Sequence, residues 1–149
     1  MPPRTRFPTC FASCSIGLKS NPSLREKLVA ISDAGFESIE LSMPDLLSFA
    51  KSFLEKEVGA EDYNELCEAG REVKRMCERF ELGVLVLQPF SNFEGWPKGS
   101  KDRENAFAKA RGWIRIMASV GTDMLQVCDH AIYTSTDLII CIGGIIRLT

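Results

Sequence analysis

Two hydrophobic patterns alternate along this chain. Apolar residues that recur every three or four positions predict amphipathic helices, and these cover residues 24–34, 45–57, 61–80 and 101–119. Short runs of aliphatic residues predict strands, and these cover residues 11–15, 38–41, 84–88 and 124–127. Because strands buried on both faces of a parallel sheet are almost continuously hydrophobic, the alternation predicts an α/β fold with helices covering a parallel sheet.

A shorter pattern repeats inside these units. Each of three helices is followed by a glycine, then by a strand, with a polar residue five positions after the glycine. The pairs are Gly35 and Glu40, Gly83 and Gln88, and Gly121 and Gln126. In a (β/α) barrel the carboxyl ends of the strands carry the active site. The repeat therefore makes Glu40 and Gln88 candidate substrate-binding residues, while Gln126 fits a ligand contact and a polar core position equally well.

The alternation fits both a doubly wound sheet and a barrel. A doubly wound nucleotide-binding sheet has a glycine-rich turn after its first strand, and residues 15–18 carry a single glycine. We therefore predict a partial (β/α) TIM barrel with about four parallel strands. A complete barrel has eight strands and about 250 residues, whereas this chain has 149. Half a barrel leaves sheet edges and an apolar face open, so self-association is expected.

The predicted domain organisation has three parts. Residues 1–10 form an N-terminal arm, residues 11–128 form the half barrel, and residues 129–149 form an atypical tail outside the ancestral fold. Within the tail, Leu138 to Ile146 are uncharged and prone to β structure, which is typical of aggregating segments. This segment either adds a strand to the open sheet edge or stays disordered.

Composition narrows the function classes. A net charge of −2 gives no indication of binding to nucleic acid or to an anionic membrane. The longest apolar stretch is far shorter than the roughly 20 residues of a membrane span. The six cysteines contain no CxxC pair and no complete zinc-ligand set, which indicates reduced thiols in a cytoplasmic protein.

Three segments, taken together and in order, resemble a known family. They read AGFESIEL from Ala34, LQPFSNFEG from Leu87 and VGTDMLQV from Val120. The chain from Phe11 to Val127 resembles the xylose isomerase-like barrels of sugar-phosphate isomerases and epimerases. Within that superfamily it is most similar to the 3-dehydroshikimate dehydratases of quinate catabolism, and the Gln-Pro-Phe-x-x-Phe-Glu-Gly element is the most specific feature.

The resemblance implies a metal-dependent lyase that converts dehydroshikimate, a small keto acid, to protocatechuate. In that family the divalent-metal ligands come from later strands, which this chain lacks. No metal and no cofactor are therefore expected in this chain, its catalytic residues are unassigned, and it is expected to be truncated and inactive. Two alternatives stay open: an isomerase or epimerase acting on a sugar-like substrate, and a non-catalytic half-barrel fragment.

The candidate substrate-binding residues are Glu40, Gln88, Phe90 and Phe93. Each has a structural alternative: an ion pair for Glu40, a hydrogen bond closing the next loop for Gln88, and packing on the rim for the two phenylalanines. Pro89 restricts the preceding residue to an extended conformation, so we predict that the strand ends at Gln88. Solvated positions are favoured for the remaining charged candidates, which are Lys101, Arg103 and His130.

Overall fold

The computed structural model describes residues 8–17, 22–93, 95–130 and 141–147. A five-stranded sheet runs in chain order. Its strands are β1 (Cys10–Ala12), β2 (Ser38–Ser42), β3 (Gly83–Ser91), β4 (Met124–His130) and β5 (Cys141–Arg147). The helices are α1 (Leu24–Asp33), α2 (Met43–Leu54), α3 (Tyr63–Arg79) and α4 (Lys101–Val120). Strands β1 to β4 are parallel, which confirms the predicted α/β architecture with four parallel strands.

Local sequence signals define the helix ends. Ser23 caps α1 through a capping box with Glu26, an arrangement that satisfies backbone N–H groups in the first turn. The Ser100 hydroxyl accepts the N–H of Arg103 at the start of α4, and Gly121 ends α4 with a φ of 84°. That left-handed conformation strains residues with a side chain, so glycine is favoured there.

The core lies between the helices and one face of the sheet. Ile39, Leu41 and Leu87 are fully buried on that face. The helical residues that pack against them include Leu28, Ile31, Leu46, Leu66, Val73, Trp113, Ile116 and Met117. Burial of these apolar side chains is the main favourable contribution to folding. In the described part of the chain, no helix is long and apolar enough to cross a membrane.

Three predicted strand ends were wrong, and one of them is that of β4, which continues past Val127 to His130. Strand β1 ends at Ala12, and Ser13–Ser15 form a 3-10 turn. In this turn the Ser13 hydroxyl donates a hydrogen bond to Asp45. Strand β3 does not end at Gln88. The Gln88–Pro89 peptide is cis, and β3 continues until Phe90 and Ser91 pair with Val127 and Cys128 of β4.

The tail adds a strand to the sheet. Strand β5 pairs with β4 in an antiparallel register from Met124↔Arg147 to His130↔Cys141, and Arg147 Nε donates to Asp123 Oδ2 at 2.7 Å. Of the two alternatives for residues 138–146, the structure shows the added strand for the portion from Cys141. Residues 131–140 lie outside the described part, as do residues 1–7 of the predicted arm.

Candidate functional site

Three polar side chains meet near the carboxyl ends of β1, β2 and β3. Gln88 Nε2 lies 3.5 Å from Glu40 Oε2 and 3.6 Å from Cys14 Sγ. Because the carboxyl ends of parallel strands share one edge of the sheet, the register that pairs Ser42 with Gln88 also brings Glu40 near Gln88. We call Cys14, Glu40 and Gln88 the strand-end cluster. The sequence predicted Glu40 and Gln88 as site residues, whereas Cys14 was not among the predicted site residues.

The strand-end cluster faces away from the helices. Ile39 and Leu41, on either side of Glu40, are fully buried in the helix-side core, as is Leu87 beside Gln88. Because successive side chains in a strand point to opposite faces, Glu40 and Gln88 share the other face of the sheet. Both side chains are half-buried, and Cys14 is exposed. That face corresponds to the inside of a barrel.

The contacts in the strand-end cluster are long. A donor–acceptor distance of 3.5 Å exceeds the usual range of 2.7–3.2 Å for such hydrogen bonds. The Gln88 amide group carries two N–H donors and a carbonyl acceptor, and the Glu40 carboxylate has two acceptor oxygens. A ligand with hydroxyl or carbonyl groups can therefore form shorter hydrogen bonds with Glu40 and Gln88 than these two residues form with each other.

The structural alternatives proposed for Glu40 and Gln88 are not what the structure shows. Among the described residues, Glu40 takes no part in the ion pairs. The alternative for Gln88 was a hydrogen bond that closes the loop after Pro89. Its side-chain contacts run instead across the sheet, to β2 and to the turn after β1. The substrate-binding roles of both residues stay predictions.

A buried polar network lies beside the strand-end cluster. Asp45, in the first turn of α2, accepts hydrogen bonds from Ser13 Oγ at 2.6 Å, Lys27 Nζ at 2.7 Å and Ser42 Oγ at 2.8 Å. The Ser13 hydroxyl also accepts the backbone N–H of Ser42 at 3.0 Å. These residues, named here the Asp45 network, connect the turn after β1, helix α1 and the end of β2.

The Asp45 network holds its carboxylate in the charged form. Burial alone would raise the pKa of Asp45, but the hydrogen bonds from Lys27, Ser13 and Ser42 and the Lys27 charge outweigh it and leave the pKa lowered. Lys27 is itself 5% exposed, so each charge depends on the other for compensation. Because Ser13 precedes Cys14 and Ser42 pairs with Gln88, the network fixes the backbone next to the strand-end cluster.

The two candidate phenylalanines pack together behind β3. Phe90 is 2% exposed, and its ring centroid lies 5.1 Å from that of Trp113 and 5.5 Å from that of Phe93. Phe93 also packs edge-on against Phe107. Both residues are therefore packing residues in the structure, but Phe90 lies in the core and not on the rim, and their contact with a substrate stays a prediction.

The remaining candidates form no described contact with the strand-end cluster, although Gln126, between the core residues Leu125 and Val127, faces the same side of the sheet. Lys101 is exposed, and the Arg103 guanidinium lies 5.5 Å from the centre of the Phe107 ring. Gln126 is half-buried on β4 and pairs across the strands with Ile145. The backbone of His130 ends β4, and its side chain lies outside the described part.

A divalent metal is implied by the family resemblance, and the residues present do not fit one. Within the described part of the chain, no group of three or more His, Cys, Asp or Glu side chains could hold a metal ion. The strand-end cluster offers one carboxylate, one thiol and one amide. A divalent metal site in a protein needs more ligands than this, of types that suit the same metal. These residues can therefore contribute contacts with a substrate, and no described group of them can hold a metal ion.

Comparison with known proteins identifies the fold family. The model for the xylose isomerase-like TIM barrel matches residues 28–138. The chain belongs to this family. The matched range includes Glu40 and Gln88, and it extends ten residues past the predicted half-barrel boundary at residue 128.

Curated relatives and a solved structure agree with this family. The chain is 32% identical to a 3-dehydroshikimate dehydratase of Pseudomonas aeruginosa over 72% of its own length and 14% of the relative. It is 29% identical to a 3-dehydroshikimate dehydratase of Neurospora crassa over 70% of its length and 30% of that relative. A solved xylose isomerase-like TIM barrel/4-hydroxyphenylpyruvate dioxygenase fusion protein aligns with a TM-score of 0.65 and 26% identity, covering 85% of this chain and 17% of its own.

These comparisons confirm the predicted partial TIM barrel. The chain spans less than a third of the length of each curated relative named here. Its homology to 3-dehydroshikimate dehydratases is distant, and the activity of the relatives belongs to proteins several times longer than the matched stretch.

Proposed function

We propose that this chain supplies the substrate-contacting strand ends of a lyase of the 3-dehydroshikimate dehydratase type. The observation that carries the proposal is the meeting of Glu40 and Gln88 near the carboxyl ends of adjacent parallel strands, the end at which barrels of this kind bind substrate. The relatives named 3-dehydroshikimate dehydratase support the choice of reaction.

The proposed reaction removes one water molecule from 3-dehydroshikimate and gives the aromatic product protocatechuate. Such an elimination needs a group that takes a proton next to the ketone, donors that stabilise the negative charge on the ketone oxygen, and a proton for the departing hydroxyl. The Gln88 amide N–H can donate to a carbonyl oxygen, and the Glu40 carboxylate can accept a hydrogen bond from a ring hydroxyl. We assign these two contacts to this chain and expect the metal ligands to come from later strands of a full barrel.

A titration with 3-dehydroshikimate tests this proposal on the chain itself. Binding is measured by chemical-shift changes of the isotope-labelled protein, with attention to the Gln88 side-chain amide. Glu40→Gln removes the charged acceptor and keeps the shape of the side chain. Because a hydrogen bond to a charged group contributes roughly 1.5–3 kcal/mol, we expect binding to weaken at least about tenfold.

The matched control is Glu68→Gln, which makes the same chemical change at an exposed position of α3. It is expected to leave the dissociation constant unchanged. The proposal fails if 3-dehydroshikimate does not bind, or if the two variants bind it equally well. Preferential binding of a sugar phosphate would favour the isomerase or epimerase alternative.

A further inference from the structure

A cavity lies on the helix side of β3. It has a volume of about 410 Å³, and its lining includes Met43, Glu61, Tyr63, Pro89, Lys109 and Trp113. None of its lining residues belongs to the strand-end cluster or to the Asp45 network. The volume falls within the range of roughly 300–1,000 Å³ that is typical of small-molecule sites.

Close packing between α3 and α4 forms one wall of this cavity. The Tyr63 ring lies directly on Gly112 of α4, where a Cβ atom would overlap it. Trp113, the next residue, is 5% exposed and is held by its edge-on contact with Phe90. Tyr63 and Trp113 therefore form an aromatic wall whose position is set by the fold, which favours a ligand with an apolar body.

The lining also carries one positive and one negative charge. Lys109 Nζ donates to the Ser91 carbonyl oxygen at 2.6 Å and lies 5.0 Å from the centre of the Phe90 ring. Burial lowers the pKa of Lys109, and the Glu61 charge opposes that shift. Burial, and then the Glu61 charge, raise the pKa of Tyr63. The Glu61 carboxylate therefore acts electrostatically on both residues.

The two charges can each bind a ligand group. A lysine ammonium has three donors, and the described contacts use one of them, to Ser91. Glu61 is exposed, and among the described residues it forms no ion pair with Lys109 within 4.0 Å. A purely anionic ligand would meet repulsion from Glu61, and a purely cationic one would meet repulsion from Lys109. A ligand that carries both charges avoids both penalties.

We propose that this cavity binds a free α-amino acid with a large apolar side chain. Lys109 binds the carboxylate, Glu61 binds the ammonium group, and the side chain packs against Tyr63 and Trp113. The proposal does not depend on the proposed lyase function, because the two sites share no residue.

Three ligands test the proposal on the unmodified chain: L-phenylalanine and two analogues, each of which lacks one of its charges. L-phenylalanine has both charges, 3-phenylpropionate lacks the ammonium group, and 2-phenylethylamine lacks the carboxylate. Titrations are followed by the resonances of the Trp113 indole and the Lys109 side chain. We expect L-phenylalanine to bind at least about tenfold more tightly than either analogue, the factor that corresponds to one charge-assisted hydrogen bond.

Two variants assign each charge. Lys109→Met should remove the preference of the cavity for L-phenylalanine over 2-phenylethylamine. Glu61→Gln should remove the preference of the cavity for L-phenylalanine over 3-phenylpropionate. Lys98→Met and Glu68→Gln make the same changes at exposed positions and should change neither preference. Circular dichroism establishes that each variant is folded.

Several outcomes would overturn the proposal, and those measured on the unmodified chain hold even if a variant fails to fold. They are the absence of any L-phenylalanine binding, equal binding of L-phenylalanine and 3-phenylpropionate, and ligand-induced shifts confined to Glu40 and Gln88. The last outcome would still be compatible with the lyase function, so failure here is distinguishable from failure there.

Discussion

The Asp45 network and the strand-end cluster are neighbours, but they differ in the length of their hydrogen bonds and in their burial. In the Asp45 network the three hydrogen bonds to the carboxylate are 2.6–2.8 Å long, and Lys27 is almost fully buried. In the strand-end cluster the contacts of Gln88 are 3.5 and 3.6 Å long, and Cys14 is exposed. In the first group each polar side chain has a short hydrogen bond within the group, whereas the second retains capacity for a ligand.

This difference separates residues that maintain the fold from residues available for binding. Buried charges are tolerated only when paired and hydrogen-bonded, so each member of the Asp45 network is needed by the others. Half-buried groups with long contacts lose little when a neighbour is removed. Substitutions in the two groups should therefore have very different effects on stability.

The largest expected effect comes from Lys27→Met. The substitution keeps most of the apolar stem and leaves the Asp45 carboxylate without its cation, so we expect a loss of about 3 kcal/mol in the free energy of unfolding. Urea denaturation measures it. Replacing both members, as Lys27→Met with Asp45→Leu, should recover part of the loss, because no unpaired buried charge remains. A loss below about 1 kcal/mol for Lys27→Met would mean that water compensates Asp45 and that the network is not a closed unit.

A smaller effect should be visible in the pH dependence of stability. The pKa of Asp45 is lower in the folded chain than its ordinary value, so below that ordinary value, about 3.9, the unfolded chain binds the proton more readily. The contribution of Asp45 is therefore complete above about pH 5 and is lost as the pH falls through the lowered folded pKa. Urea denaturation between about pH 6 and pH 2.5 should show this loss, and Asp45→Asn should lack it.

Asp33→Asn is the matched control for this experiment, because Asp33 is an exposed aspartate at the end of α1. It should keep the acid-dependent loss seen in the unmodified chain. If Asp45→Asn and Asp33→Asn gave the same pH profile, the network would not stabilise the charged carboxylate.

The smallest expected effect is that of Glu40→Gln on stability. Its described side-chain hydrogen bond is the 3.5 Å contact from Gln88, so the free energy of unfolding should change by less than about 0.5 kcal/mol. Urea denaturation beside Glu68→Gln provides the comparison. A loss above about 1.5 kcal/mol would place Glu40 among the structural residues and would weaken its assignment to substrate.

The sequence predicted what depends on local patterns. Hydrophobic periodicity located the helices and the four parallel strands, and the spacing from glycine to polar residue selected Glu40 and Gln88. Another local rule failed to locate the end of a strand. The preference of residues before proline predicted the end of β3 at Gln88, whereas pairing with β4 carries the strand on to Ser91.

The sequence could not predict contacts made between distant segments. Lys27 and Ser13 reach Asp45 from positions 18 and 32 residues away, and neither lies in a motif. Only the contact between Ser42 and Asp45 has a local signal, since a serine three residues before an aspartate is typical of a helix start. Cys14 joined the strand-end cluster because β1 ends early, and its type and spacing gave no indication of that position.

Strand β5 has a consequence for how this sheet could grow. The outer edge of β4 offers one row of backbone donors and acceptors, and β5 occupies it with antiparallel pairing over seven residues. A barrel closes by placing its next strand parallel on that same edge. Closure and retention of β5 are thus mutually exclusive states in competition for one set of hydrogen bonds, and any segment that completes the barrel must first displace Cys141–Arg147.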